Sequence, residues 1–354
     1  MTDQTGDDGR LLVYGAYGYT GRLVVERARA CGLSPVVAGR RREPTTAVAD
    51  DHGVDARVFA LDDRETVADA VADVAVVCNC AGPFVHTAEP LVEACLSTGT
   101  DYCDVTGEIG VFETLAGYDD AAREAGVTVL PGVGFDVVPT DALAAHLADR
   151  LPSATRLSLG FQGLGSVSPG TAHTVVDSLS AGGAVRRDGH LQSVPLAHDV
   201  RWIDFGRGET RAAAIPWGDV STAYHTTGIE NVTVYAAQPG AVSRLLRAGS
   251  RLAPLAGAAP VQSLLHGLVD RVVDGPDERD REAGETYVWG RVTDGERTET
   301  ARLRTPETYR FTAHSAVALA DRVADGAPAG FQTPAGAFGP EVVSTVAGVE
   351  WVER

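Results

Sequence analysis

The chain has 354 residues, 48 acidic against 30 basic side chains, a formal net charge of −18, and arginine at every basic position. The absence of lysine excludes a Schiff-base lysine, a P-loop lysine and a lysine general base, and the acidic balance argues against a nucleic-acid partner. At roughly 150 residues per domain this length predicts about two domains, and 44% hydrophobic residues with 40 glycines fit an ordered α/β protein.

From the N-terminus, residues 1–10 carry no charged-then-apolar leader, and five cysteines in a chain of this size read as reduced thiols. Together with no apolar run approaching the ~18 residues of a bilayer span, these features predict a cytoplasmic protein. Excess carboxylate without lysine fits a salt-rich cytosol, where hydrated acidic side chains keep a protein soluble.

The first 150 residues alternate short β-branched runs with helical patterns, which predicts a doubly wound parallel sheet. The expected strands are Leu11 to Tyr14, Pro35 to Ala38, Ala56 to Leu61, Val74 to Cys80, Asp101 to Asp104 and Val127 to Val133. Helices are expected over Gly21 to Cys31, closed by Gly32, and over Val111 to Ala125, closed by Gly126.

Directly after the first strand comes Gly15-Ala16-Tyr17-Gly18-Tyr19-Thr20-Gly21. Glycines here permit a tight turn, close backbone approach to a pyrophosphate and helix-on-strand packing, while the following helix offers unpaired N–H groups. The spacing is G-x-x-G-x-x-G, a variant of the dinucleotide loop. At the end of the second strand, where an acidic residue would hold NAD's ribose hydroxyls, stands Gly39-Arg40-Arg41-Arg42. Guanidinium groups suit a ribose 2′-phosphate, so the expected cofactor is NADP, held by Arg40 and Arg41 with Arg42 facing solvent. Asp62 either borders the adenine or caps the next helix.

In such sheets ligands bind beyond the carboxyl ends of the strands. Ala81, Gly82, Pro83 and Phe84 are therefore expected beside the ribose and nicotinamide, with Phe84 either on the ring or in the core. Asp104 and Glu108 bracket Gly107 and either contact ribose or substrate, or serve as helix cap and first-turn acid. Asp136 and Asp141 flank Pro139 and read as helix caps or site carboxylates. Further on, Asp219, Tyr224 and His225 offer proton donors, although His225 can equally be structural. Cys78 and Cys80 face one side of a strand without the second pair that zinc would need, so no metal is expected. No G-x-S-x-G elbow appears.

Beyond residue 150 the pattern changes to glycine-rich turns and a hairpin tipped by Asp294-Gly295, flanked by Glu285 to Val292 and Arg297 to Arg304, indicating a second mixed domain. Residues 243–273 carry Leu and Ala at helical spacing, as core helices, an apolar substrate wall or a lipid-touching surface. Residues 274–284 read as a charged loop.

The blocks Asn79-Cys80-Ala81-Gly82-Pro83-Phe84, Asp104-Val105-Thr106-Gly107-Glu108 and Gly132 to Asp141 resemble the saccharopine dehydrogenase-like oxidoreductase family, within it the trans-acting enoyl reductase branch. Ser168-Pro169-Gly170-Thr171, Pro216 to Ile229, and Thr333-Pro334-Ala335 with Gly339 extend the resemblance over nearly the whole chain. A proline at 169 departs from the glycine more usual there. The resemblance implies a Rossmann domain over 1–150, a mixed α/β substrate domain over 151–308 and a segment, 309–354, packing back toward the first. It further implies hydride transfer from a nicotinamide cofactor to an activated double bond of an apolar acyl, prenyl or polyketide-type substrate, with Tyr224, His225 and Asp104 as catalytic candidates. The alternatives are a saccharopine-type imine substrate clamped by Arg186, Arg187, Arg201 and Arg207, or a non-catalytic NADP-binding module. Peripheral lipid contact and a homo-oligomer stay open.

Overall fold

The computed structural model describes residues 8–163, 182–238 and 277–352, with Ala172 and Gly267 as isolated positions. Ser168 to Thr171, and the 243–273 segment apart from Gly267, lie outside the described residues. Two compact units emerge: residues 1–106, 110–134 and 312–332 form the first, and 107–109, 135–311 and 333–354 the second.

The first unit is built on seven strands: β1 (Asp8–Tyr14), β2 (Ser34–Gly39), β3 (Ala56–Val58), β4 (Val76–Asn79), β5 (Asp101–Asp104), β6 (Thr128–Leu130) and β15 (Gly330–Phe331). They pair in parallel throughout, in the order β15-β6-β5-β4-β1-β2-β3. Parallel strands are buried on both faces, and every residue of β4 is buried accordingly. Helices α1 (Tyr19–Ala30), α2 (Arg42–His52), α3 (Arg64–Val71), α4 (Ala88–Thr98), α5 (Ile109–Ala116) and α6 (Asp119–Ala125) join them. On one side Val67, Val71, Leu91, Val92, Val111 and Leu115 pack against Leu12, Val36, Val77, Tyr102 and Val129. Each such side chain contributes about 1.5–3 kcal/mol on burial.

The single helix expected over Val111 to Ala125 is two, α5 and α6. The chain turns at Gly117, a residue type poor at sustaining a helix, and its N–H bonds back to Thr114 O at 3.1 Å. The strands expected at Ala56 to Leu61, Val74 to Cys80 and Val127 to Val133 are shorter than their apolar runs, because Phe59, Val74, Val127 and Val133 bury their side chains from the flanking turns.

The second unit is built on nine strands: β7 (Arg156–Gln162), β8 (Gly183–Arg187), β9 (His190–Val194), β10 (Val200–Asp204), β11 (Glu209–Ile215), β12 (Asn231–Ala237), β13 (Glu285–Thr293), β14 (Thr298–Pro306) and β16 (Glu350–Trp351). Their main path runs β10-β11-β12-β7-β13-β14-β16, with β8 pairing β12 and β9. β12 and β7 run parallel and the other pairs antiparallel, including the hairpin turning at Asp294-Gly295. Among the described residues its helices are α7 (Val138–Arg150), α8 (Asp219–Thr227), α9 (Glu278–Ala283) and α11 (Pro334–Phe338), while α10 (Thr308–Ala324) begins here and continues into the first unit. Residues 274–284, read as a loop, include the short α9, started by Asp277, whose side chain accepts from Asp280 N.

The division falls at 134/135 rather than at 150, because α7 packs onto the second sheet. Gly290 makes room for it, since a Cβ there would lie 2.8 Å from Leu147 Cδ1. The segment 309–354 is likewise divided: 312–332 adds β15 to the parallel sheet, and 333–354 adds α11 and β16 to the second unit.

Candidate functional site

In the first unit, Gly15 N and Ala16 N donate to Ala38 O at 2.8 and 3.2 Å, and Gly18 N closes a turn onto Gly15 O at 2.9 Å. Gly15 has φ +81°, and a Cβ on it would sit 2.8 Å from the Ala81 backbone nitrogen. A left-handed backbone and close approach thus both demand glycine. Gly21 is pressed onto Gly15 and Ala16 in the same way. Gly18 caps α1 with no side-chain hydrogen bond, and the first turn has no acidic residue. Tyr17, Gly18, Tyr19 and Thr20 are partly exposed around this end. The opening N–H groups of a helix carry partial positive charge and suit a phosphate anion.

The end of β2 forms the flank of this cradle. The Tyr17 ring covers Gly39, where a Cβ would lie 2.6 Å from Tyr17 Cε1, and the Arg41 guanidinium carbon is 6.0 Å from that ring's centroid. Arg40, Arg41 and Arg42 are exposed. Tyr14 donates to Phe59 O at 3.3 Å, and burial pushes its phenol up to about 12. The cap of α3 is Asp63, which accepts from Thr66 N at 3.3 Å. Asp62 therefore has no capping role and is exposed just beyond β3.

After β4, Asn79 Oδ1 accepts from Ala81 N at 2.9 Å, and Thr87 Oγ1 donates to Ala81 O at 2.7 Å. The Gly82–Pro83 peptide is cis. Phe84 is partly buried against the unit's core, which favours its packing role. Asn79 and Thr87 together shape this loop. No sequence signal marks Thr87, because its effect depends on a turn that exists only once folded.

Asp104 occupies a different place from the catalytic one expected. It is fully buried, with Oδ1 accepting from Thr106 N (3.0 Å) and Gly132 N (2.9 Å) and Oδ2 from Tyr102 OH (2.8 Å). Burial pushes its carboxyl up to about 7 despite these donors. A carboxylate with both oxygens engaged and no exposed surface ties the chain after β5 to the chain after β6 and reaches no substrate.

In the second unit, α8 separates the three residues expected together. Asp219 faces inward and is fully buried, Tyr224 is partly exposed and His225 is exposed. The Tyr224 ring is covered by Arg186, whose guanidinium carbon lies 4.3 Å from the centroid, while Arg186 itself is buried and bonds Val220 O and Gly189 O at 2.9 and 2.8 Å. Tyr224 and His225 are thus parts of a packed outer helix face.

Three carboxyl groups of this unit have values raised by burial. Asp141 is pushed up to about 6, held by Thr226 Oγ1 and by Ala335 N at 2.7 Å, so it joins α7, α8 and α11. Asp219 stands well above the usual carboxylate range, from burial first and then from Asp141 and Asp136 nearby. Neither of its oxygens has a hydrogen-bond partner, and the neighbouring Thr140 hydroxyl gives its proton to Val137 O at 2.9 Å. Asp136 is pushed up to about 7 by burial alone, yet keeps part of its surface exposed.

Asp136 is also the most exactingly placed of the three. Its carbonyl accepts from Trp217 Nε1 at 2.8 Å, and a Cβ on Gly107 would lie 2.7 Å from its Oδ2. The neighbouring Phe135 stacks edgewise on Phe311 and Phe161 (5.7 and 6.4 Å), and Phe161 meets Trp217 at 4.8 Å. Val137, not Asp136, is the residue before α7, and no side chain caps that helix. Only the DVVP spacing hinted at this aspartate; the rings around its neighbour Phe135 are assembled from distant segments. Among the described residues no group of His, Cys, Asp or Glu could hold a metal ion.

A glycine cradle on a parallel sheet, with arginines at the end of β2, defines a Rossmann-type dinucleotide-binding protein. Residues 11–130 match the saccharopine dehydrogenase NADP binding domain, which makes NADP the cofactor of this segment. The chain is 30% identical over 151 residues to a saccharopine dehydrogenase-like oxidoreductase of Bos taurus, covering 37% of this chain and 35% of that one. It is 33% identical over 139 residues to a Mycobacterium tuberculosis protein named as a trans-acting enoyl reductase, covering 37% and 33%. A lipid droplet localized protein of Caenorhabditis elegans is 31% identical over 204 residues, covering 50% and 48%. The matches thus span about a third to a half of these relatives. Saccharopine dehydrogenase (L-Glu forming) from Saccharomyces cerevisiae shares the fold over 97% of this chain and 99% of its own, with TM-score 0.66 and 14% identity. No helix among the described residues is long and apolar enough to cross a membrane.

Proposed function

We propose that the protein is an NADP-dependent oxidoreductase acting on an activated carbon–carbon double bond of an apolar acyl, prenyl or polyketide-type small molecule. The observation that carries this reading is the glycine cradle at the N-terminus of α1 flanked by Arg40 and Arg41. The N–H groups of residues 18–21 would hold the pyrophosphate, the two guanidinium groups the 2′-phosphate, Asp62 and Tyr17 the adenosine flank, and Ala81 to Phe84 the ribose and nicotinamide. Bound NADPH would supply the hydride.

Within the second unit, taken by itself, Asp136 is the carboxyl group we propose as a proton donor. Burial pushes its carboxyl up to about 7, so that a proton is still held near neutral pH, which suits a general acid. Trp217 holds its backbone, so the acid is positioned before substrate arrives. The enoyl choice is supported by the name of the M. tuberculosis relative. The imine alternative has less support: Arg186 is buried in the packing of α8, and Arg201 is paired to Asp199 at 2.6 Å. We further propose a cytoplasmic, salt-rich setting, consistent with the net charge of −18.

The test is fluorescence titration with NADPH and NADH, at low and at molar salt, for the wild type and an Arg40→Ala, Arg41→Ala double variant. Loss of charge-assisted contacts worth about 1.5–3 kcal/mol should weaken NADPH binding roughly 10- to 100-fold and leave NADH unchanged. Equal loss for both nucleotides would reject the 2′-phosphate clamp. Turnover of NADPH with an enone and enoyl-thioester panel, against an imine panel, then separates the substrate classes. Tight NADPH binding without turnover on any of them would favour a non-catalytic module.

A further inference from the structure

Cysteines gather at the ligand end of the parallel sheet. Cys78 lies in β4, in register with Val13 of β1 and Cys103 of β5. Cys80, two residues on, points to the same side of the strand, as the strand period requires, and its Sγ is 4.0 Å from Cys78 Sγ. Its backbone N–H bonds Tyr14 O at 2.8 Å, one residue past the end of β4. Cys78 and Cys103 are fully buried, whereas Cys80 is partly exposed. The next residue, Ala81, is the one against which Gly15 is pressed.

We propose that Cys80 and Cys78 form a redox-reactive thiol pair beside the cofactor cradle, which a peroxide closes to a disulfide. Cys80 is the entry thiol: its sulfur attacks the peroxide oxygen and becomes a sulfenic acid, releasing water. Cys78 Sγ then attacks the Cys80 sulfur, the S–O bond breaks and a second water leaves. Two thiols are oxidised and one hydrogen peroxide is reduced to two waters. The sulfurs start 4.0 Å apart, and since a disulfide brings Cβ atoms to within about 3.5–4.5 Å, bridge closure draws Cys80, which lies past the end of β4, toward Cys78. Cys103 is adjacent to Cys78 but has no exposed surface to begin the reaction. The reaction needs no bound nucleotide, but its dependence on nucleotide rests on the cofactor reading above, because a ligand in the Gly15 loop would lie over Ala81 and shield Cys80.

The experiment counts free thiols, after denaturation, in Cys31→Ser protein treated with hydrogen peroxide; this removes the exposed cysteine and leaves four of the five. The expected result is loss of two thiols, recovered by dithiothreitol, no such loss in Cys80→Ser or Cys78→Ser, and unchanged loss in Cys95→Ser and Cys103→Ser. Absence of recoverable loss, or loss that persists without Cys80, overturns the proposal. Circular dichroism on each variant separates misfolding from lost reactivity. Saturating NADP should slow the loss; no slowing in protein shown by fluorescence to bind NADP overturns the shielding. Failure of NADP to bind at all counts against the cofactor reading, and the thiol count then decides the redox pair on its own.

Discussion

The glycine cradle of the first unit and the carboxyl groups of the second are built on opposite principles. The cradle uses backbone groups, and its specificity comes from what side chains are missing: no Cβ at Gly15 or Gly21, and no acid in the first turn of α1. The carboxyl groups of the second unit act through side chains whose chemistry comes from surroundings: Asp136, Asp141 and Asp219, like Asp104 of the first unit, are the same residue type with different duties. Asp104 is bonded on both oxygens and ties loops, Asp141 joins helices, Asp219 is sealed without a partner, and of these four Asp136 combines a carboxyl value raised by burial with a partly exposed residue. Motif-like sites are thus legible from spacing, while proton chemistry is legible only from packing.

The sharpest test of the acidic side is Asp136→Asn, which should lower turnover about 10²- to 10⁴-fold while leaving the NADPH dissociation constant unchanged. In the wild type, turnover should hold below pH 7 and fall about tenfold per unit above it, because the raised value means the needed proton is lost as pH rises through about 7. A flat pH–rate profile would remove Asp136 from the reaction.

On the cradle side, Gly15→Ala should abolish measurable NADPH binding. The left-handed backbone costs about 1–2 kcal/mol and lowers Tm by roughly 2–8 °C, and the added methyl displaces Ala81. Retained affinity would show that the loop is structural only.

Asp219→Asn tests burial without function. A carboxyl with its folded value raised has its full stability below the unfolded value near 3.8, and loses it as pH rises through the folded value. The variant should therefore match the wild type in acid and have the higher Tm at pH 8, as thermal melts across pH would read. The smallest effect is expected for Tyr224→Phe and His225→Ala, within about twofold in turnover, since Phe keeps the ring that Arg186 covers. A large loss in either would restore the outer face of α8 to the reaction.

The glycine loop, the parallel sheet it opens, the arginines after β2 and the hairpin at Asp294-Gly295 were readable from local pattern. They follow from near neighbours: apolar runs, turn residues and helix ends impose their geometry whatever packs on them. The break at Gly117 and the brevity of β3 were less so, because a few apolar residues serve equally in a strand or in the turn that seals it.

What the sequence determined alone is the parallel sheet, the nucleotide cradle and its preference for NADP, all encoded in contiguous residues. Tertiary structure decided which carboxyl groups have values raised by burial, which are braces, and that Tyr224 belongs to a packed helix face. The reason is physical: the charge state and reach of a side chain depend on desolvation and partners brought from elsewhere in the chain. Asp136 meets Gly107 and Trp217, and its neighbour Phe135 meets Phe161 and Phe311, residues that no spacing rule connects.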